Sequence, residues 1–259
     1  MLSTMVYFNA ITRDYSQSLA RTAAEPSVSR DTQYYLDNIG KVKSIDDLLN
    51  NQRLFTYAMK AYGLEDMVNA KGLMRKVLEG GVTDSKSLAN TLNDRRYLVF
   101  AAAFDFHGKG ADATSASTAV DGTVDRYIET VLESDAGKQS EGTRMALYFT
   151  RVAPNLTSLY GVLADKTLLS VVQTAFGLSP SMSKLDIDTQ VKMIGSQVSL
   201  ADLQDPTKVR KLLDRFMANY DANSVGTAST SPTLALFVTS PGINANLLLS
   251  LANLKLGGS

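Results

Sequence analysis

Apolar positions recur along this chain at spacings of three and four residues, the period of a helix with one buried face. Phe8, Ile11, Tyr15 and Leu19 form the first such stripe and predict an N-terminal amphipathic helix that stops at Glu25-Pro26-Ser27. Tyr34, Tyr35 and Ile39 predict a second helix ending at Gly40. Ser44 followed by Asp47 reads as an N-cap with an acidic third position, so helix restarts there. The apolar residues from Ile45 to Tyr62 keep a helical period that Asn50-Asn51 can split. Gly63 then stands where a left-handed C-cap belongs, with Leu64 placed to fold back onto Met59 or Ala58. Met67 to Leu78 predicts a further helix closed by Gly80-Gly81.

The same signal returns later in the chain. Ala61-Tyr62-Gly63-Leu64 is matched by Ala175-Phe176-Gly177-Leu178, and residues 34–64 align with 148–178 at an offset of 114 residues (148 − 34). In this register Tyr34 pairs with Tyr148, Tyr35 with Phe149, Ser44 with Ser158, Leu49 with Leu163 and Leu54 with Leu168. The matched positions are mostly ones a fold would bury, so the echo predicts two related helical halves. Ile187 to Val198 predicts helix after the second terminator, and Asp205-Pro206 marks the start of another, a carboxylate cap followed by proline at the first position. Asp84-Ser85 is read as its counterpart in the first half, at an offset of 121 residues (205 − 84).

Between the halves, Gly108 to Gly122 is small, polar and rich in breakers, which predicts a flexible loop, and Asp221 to Pro232 has a similar character. Thr233 to Thr239 has strand-like composition, but one short segment makes no sheet. Ile243, Leu247, Leu251 and Leu254 close the chain with a second amphipathic stripe. The fold class expected is all-α: a multi-helix array with two related halves and amphipathic helices at both ends. The expected organisation is an N-terminal helix and linker over 1–30, a first half over 31–107, the loop 108–122, a second half over 123–220, and a loop with the C-terminal helix over 221–259.

Composition narrows the function classes. The 259 residues can hide a substantial core, roughly 70–75% of the unfolded surface for a chain of this size, and 44% hydrophobic with 20% charged residues is a globular balance. The 26 Lys+Arg equal the 26 Asp+Glu, which leaves no general field for nucleic acid. The densest basic cluster, Lys208, Arg210, Lys211 and Arg215, is interleaved with Asp202, Asp205 and Asp214 and reads as a solvated face. The longest apolar run, Tyr97 to Phe104, is far short of the roughly 20 residues of a membrane span. No charged n-region precedes an apolar core, so no cleaved secretory signal is expected.

Candidate chemistry is sparse. With no cysteine and one histidine, neither a thiolate site nor a multi-imidazole zinc site can be built. His107 follows the apolar run ending at Phe104, where an imidazolium suits a helix C-terminus. Asp46-Asp47 and Glu65-Asp66 are neighbours that point about 100° apart on a helix and do not converge. Asp186 and Asp188 resemble the start of a calcium loop, but Gln190 takes the place of the next oxygen ligand and no turn glycine follows. Gly108-Lys109-Gly110 and Gly137-Lys138 lack the rest of a phosphate-binding loop. The reading is no enzyme, no metal and no cofactor. The candidate contact residues are the two terminal stripes, Phe8, Ile11, Tyr15, Leu19 and Ile243, Leu247, Leu251, Leu254, which dock either on the body or on a protein partner.

SLARTAAEPSVSRDTQYYLDNIGKVKSIDDLL from Ser18, YAMKAYGLEDM from Tyr57, FMANYDANS from Phe216 and LLLSLANLK from Leu247 resemble, over nearly the whole chain, the bacterial family catalogued as domain of unknown function twelve-seventeen. The family brings no functional residues to carry over. The resemblance implies a context, because members are often encoded among flagellar genes, and the location expected is therefore cytoplasmic or flagellum-associated. The function expected is a non-enzymatic, motility-associated protein acting through protein–protein contacts with flagellar components, as an accessory structural or assembly factor. The alternatives are a cytosolic adaptor or regulator unrelated to export, and an enzyme with a carboxylate cleft between the halves.

Overall fold

The computed structural model describes residues 3–228 of the protein, and the described residues are helical throughout, with no strand. The helices are α1 (Thr4–Thr12), α2 (Tyr15–Ala23), α3 (Pro26–Ile39), α4 (Ile45–Asn50), α5 (Gln52–Ala61), α6 (Lys71–Gly80), α7 (Leu88–Thr91) and α8 (Arg95–Ala103). They continue with α9 (Phe106–Lys109), α10 (Asp121–Gln139), α11 (Glu141–Val152), α12 (Tyr160–Ala164), α13 (Lys166–Phe176), α14 (Ile187–Gly195), α15 (Leu200–Gln204) and α16 (Pro206–Ala228). Short 3₁₀ segments follow α5 at Glu65–Met67, α9 at Gly110–Ser115, α11 at Ala153–Asn155 and α13 at Pro180–Lys184.

Elements α3 to α8 and α11 to α16 run in the same order, and local chemistry explains much of the match. Asn51 caps α5 through the Leu54 amide, and Asp165, 114 residues on, caps α13 through the amides of Thr167 and Leu168. The Tyr34 hydroxyl donates to Asn51 (3.3 Å) and the Tyr148 hydroxyl to Asp165 (2.5 Å), so the echoed tyrosines hold the echoed caps. Gly63 (φ 68°) and Gly177 (φ 64°) are left-handed, as their positions predict. At the first, the Leu64 amide reaches the Met59 carbonyl (2.8 Å) and the Gly63 amide the Lys60 carbonyl (3.0 Å), the two bonds of a Schellman ending. At the second, the Leu178 amide reaches the Gln173 carbonyl (2.9 Å). The first-half counterpart of Asp205 is a correction: Asp94, not Asp84, caps the last helix of that half, at an offset of 111 residues (205 − 94), while Asp84 only turns the chain before α7 through the Lys86 amide.

Two apolar cores result. One gathers residues from Val28 to Val131, and the other gathers Phe8, Ile11 and residues from Leu132 to Met217. Their border falls inside α10, between the adjacent Val131 and Leu132, so one long helix serves both. In the first core Tyr35, Tyr57 and Tyr127 stack in sequence, with ring centroids 4.4 and 3.8 Å apart, and tie α3, α5 and α10 together. Burial pushes the Tyr127 phenol up to about 12, so it remains a neutral donor toward Asp31.

Three expectations change. The breaker-rich 108–122 is no open loop: Gly110–Ser115 is 3₁₀, Ala113, Thr114 and Ala119 are buried, the Tyr35 hydroxyl donates to the Ala119 carbonyl (2.5 Å), and Thr114 donates to the Val42 carbonyl (2.7 Å). The loop expected from Asp221 starts as helix, because α16 continues to Ala228. The N-terminal stripe is broken by the Asp14 cap into α1 and α2, and α1 belongs to the second half. The Thr4 amide lies between both Asp221 oxygens (3.1 and 3.0 Å), Thr143 donates to the Thr4 carbonyl (3.2 Å), and α1 crosses α11 at Gly142. Thr233 to Thr239 and the stripe Ile243, Leu247, Leu251 and Leu254 lie outside the described residues. Among the described residues no helix is long and apolar enough to cross a membrane.

Candidate functional site

A cavity of about 560 Å³ forms a cleft where the two halves face each other. The first half contributes the C-terminal end of α5 at Tyr62 and Gly63, the segment from α7 through α8, and Arg126 of α10. The second half contributes Tyr148 and Arg151 of α11, the turn after it, α12, the N-terminus of α13, and Ile187 and Gln190 of α14. A volume of this size falls within the roughly 300–1,000 Å³ of ligand-binding cavities.

Local structure places each charged side chain. Asp94 caps α8 through the Arg96 amide (2.9 Å) and also receives the Arg96 guanidinium (2.7 Å), whose other arm donates to the carbonyl of left-handed Gly63. Arg151 grips Glu133 of α10 with two bonds, Nε to Oε1 at 2.6 Å and Nη2 to Oε2 at 2.9 Å, and lies 3.8 Å from Glu129. Burial disfavours the Arg151 charge, yet the Glu133 hydrogen bonds and the charges of both glutamates outweigh it, and the guanidinium is held above its ordinary range. Burial, assisted by the neighbouring Asp165 charge, raises the Tyr148 phenol, which stays protonated as the donor to that carboxylate. Arg126 lies over the Tyr62 ring, 5.2 Å from its centroid, and Arg95 reaches across the cleft to the Thr157 hydroxyl (3.0 Å).

A smaller cavity, about 320 Å³, lies in the first half and is lined by Asn38, Lys41, Val42, Asp47, Asn50, Asn51 and Leu54. Adding 114 to each number gives Val152, Asn155, Leu156, Gly161, Ala164, Asp165 and Leu168, and all of these line the cleft. The cleft is thus one wall of a corner that the protein builds twice. The first copy faces outward, and the second faces α7 and α8 of the other half.

The residues singled out from sequence fall elsewhere. Phe8 and Ile11 are buried in the second core, and Tyr15 and Leu19 pack against it, so this stripe docks on the chain itself and does not present a free contact face. His107 does meet a helix C-terminus, but that of α6: its Nδ1 lies 2.8 Å from the Glu79 carbonyl, which can only accept, so Nδ1 carries the proton. Asp46 pairs with Arg75, Asp47 receives the Lys43 amide (3.0 Å), Asp186 caps α14 through Thr189 (2.8 Å), and Asp188 accepts from Tyr160 (2.8 Å). Of the basic cluster, Lys208 pairs with Asp202 and Arg210 with Asp214. Arg95, Arg96, Arg126 and Arg151 went unnoticed in the sequence because they sit on α8, α10 and α11 and form no run. The signals that do point toward them are Tyr148, through the echo, and the Asp94-Arg95-Arg96 helix start.

None of the curated proteins matches the chain. Among solved structures it is similar to the crystal structure of protein AGR_C_984 from Agrobacterium tumefaciens, at 42% identity and a TM-score of 0.80, over 86% of this chain and 97% of that one. Residues 61–209 match the family described as "Protein of unknown function (DUF1217)", a span of more than half the chain that takes in both walls of the cleft. The chain belongs to the DUF1217 family.

Proposed function

We propose that this protein is non-enzymatic and works through protein–protein contact, as an accessory structural component or assembly factor of the bacterial flagellum. The observation that carries the non-catalytic part is the employment of its polar groups. Asp47, Asp94, Asp165 and Asp186 serve backbone amides at helix starts, and Arg96 and Arg151 are each matched to a carboxylate. Groups held this way contribute to stability and have little freedom to exchange protons with a substrate. The cleft gives the enzyme alternative its place, but its carboxylates, Asp94 and Asp165, are committed to caps and to Arg96 and Tyr148.

The flagellar context is carried by the family resemblance. Ile243, Leu247, Leu251 and Leu254 supply a contact stripe of the kind an assembly partner would bury. Deleting the protein from a motile bacterium that encodes it should abolish or cut swimming in soft agar. A copy carrying Leu247→Asp, Leu251→Asp and Leu254→Asp should fail to restore it. Normal swimming by the deletion strain overturns the reading. Retention of the protein in the cytoplasm after shearing and fractionating flagella would favour a cytosolic adaptor instead.

A further inference from the structure

We propose that the mouth of the inter-half cleft is the docking site for an acidic, apolar peptide segment of a protein partner. Such a site presupposes that the protein acts by contact, and three observations give it its chemistry. The first is where apolar surface is left in water. Among the described residues the exposed large hydrophobic side chains are Val6, Leu36, Tyr160 (50% exposed), Leu185 (45%) and Ile187 (61%). Tyr160 and Ile187 line the cleft, and Leu185 is two residues from Ile187. Apolar side chains gathered at the rim of a cavity mark a contact surface more often than scattered ones do.

The second observation is charge. Arg95, Arg96, Arg126 and Arg151 line the cleft against Asp94 and Asp165. Arg96 is taken by Asp94, and Arg151 by Glu133 from behind. Among the described residues no ion pair joins Arg95 or Arg126 to a carboxylate: one rests on a threonine hydroxyl, the other on a tyrosine face. Asp165, the remaining acid, already accepts two backbone amides and a phenol. Two guanidiniums therefore face the cleft with donors to give, and carboxylates of an incoming segment match them.

The third is divergence between the two corners. Where the wall of the outward-facing corner has Asn38, Asp47 and Asn50, the cleft corner has Val152, Gly161 and Ala164 at the same offset of 114, and Tyr160 joins the cleft lining where Asp46 stays outside the first. Two amides and one acid have given way to apolar or small residues. The change makes the wall more apolar and adds an aromatic rim, which favours an apolar occupant; Asn155 and Asp165 stand where the first corner has Lys41 and Asn51, so the preference for an acidic one comes from Arg95 and Arg126 across the cleft. Tyrosine and arginine are also the residues most enriched at the energetic centres of interfaces.

The test uses the purified full chain. A random dodecapeptide phage library panned on it should enrich sequences that combine Asp or Glu with Leu, Ile or Phe. The most enriched peptide, fluorescein-labelled, should bind by anisotropy and weaken as salt rises. Ile187→Asp, at a position too exposed to threaten the fold, and the pair Arg95→Glu/Arg126→Glu should each weaken binding by about tenfold or more, as loss of an interface anchor does. Circular dichroism checks that each variant is folded, and Lys208→Ala on α16 should leave binding unchanged. Absence of enrichment, enrichment without acidic residues, or binding indifferent to Ile187→Asp overturns the docking site. Motility distinguishes the two failures. A swimming defect in the deletion strain that the Ile187→Asp gene fully repairs removes this site and leaves the flagellar reading, whereas peptide binding with normal swimming of the deletion strain removes the flagellar context alone.

Discussion

Replacing Arg151 by alanine tests how α11 is fastened to α10, the helix that both cores share. Glu133 on α10 is 4% exposed and receives both arms of Arg151 from α11, at 2.6 and 2.9 Å, just past the point where α10 passes from one core to the other. Removing the arginine leaves a buried carboxylate without its partner, with Glu129 as a second negative charge nearby. Breaking a buried pair from one side costs about 3–5 kcal/mol, and loss of the guanidinium from the Tyr148 face, 5.2 Å away, adds about 0.5–1 kcal/mol. For a chain of this size each kcal/mol is worth about 2–4 °C, so melting should fall by roughly 7–24 °C. Thermal unfolding followed by circular dichroism measures it, with urea unfolding as a second scale. The companion variant Glu133→Leu/Arg151→Met removes both charges and should recover most of the loss, because burying two apolar side chains carries no desolvation penalty. If Arg151→Ala melts within about 2 °C of the wild type, or if the double variant is as unstable as the single one, the pair is not the joint described.

Smaller perturbations probe individual links. Gly63→Ala and Gly177→Ala each force a β-carbon into the left-handed region and should cost about 1–2 kcal/mol in urea unfolding; Gly177→Asn should lose less, and no difference between alanine and asparagine would contradict the capping account. A β-carbon on Gly142 would stand 2.7 Å from Tyr220 and 2.8 Å from Thr4, so Gly142→Ala should destabilise by about 1–3 kcal/mol and speed amide exchange in α1, with an unchanged exchange pattern counting against α1 docking here. Burial first, and then the Glu133 charge, raise the Glu129 carboxyl against the opposing pull of Arg151. A group whose folded-state pKa is raised contributes stability that is present below its unfolded pKa and is lost as pH rises through the folded one. Glu129→Gln should therefore melt at or above the wild type at pH 7, with the gap closing as pH falls toward the ordinary glutamate value of 4.5, and a gap that widens on acidification would reverse the sign of this argument.

What could be read from sequence was local. Gly63 and Gly177 are recognisable as helix terminators because the steric cost of a left-handed β-carbon and the fold-back of the next leucine lie within six residues. Asp205-Pro206 and Ser44 announce helix starts for the same reason, and the echo at offset 114 survives because it records positions that pack. The misreadings are all non-local. Residues 108–122 look like a loop until the Tyr35 hydroxyl, 84 positions from Ala119 in sequence, takes its carbonyl and Thr114 finds Val42. The N-terminal stripe was visible as amphipathic, but nothing in a 3.6-residue period says that Phe8 and Ile11 enter the second core through Asp221 and Gly142. A cleft between the halves was among the alternatives, but as a carboxylate site; its arginines escaped because they are dispersed over three helices and acquire meaning only when the halves face one another.

The repeat also explains why the cleft lies where it does. A corner between a helix end and the next capped helix leaves a concavity wherever the turn is tight, and each half makes one. In the first half the concavity stays polar, with Asn38, Lys41, Asp47 and Asn50 on its walls, because water covers it. In the second half α7 and α8 of the other half stand opposite, so the same concavity loses water and gains guanidiniums across the gap. A polar wall kept there would have left desolvated amides and an acid to satisfy. Val152, Gly161 and Ala164 avoid that cost and leave room in its place. Arg95 bridges the gap through the Thr157 hydroxyl, and among the described residues no carboxylate partner meets it there. An occupant able to supply one would bind the two halves to each other as it binds the cleft.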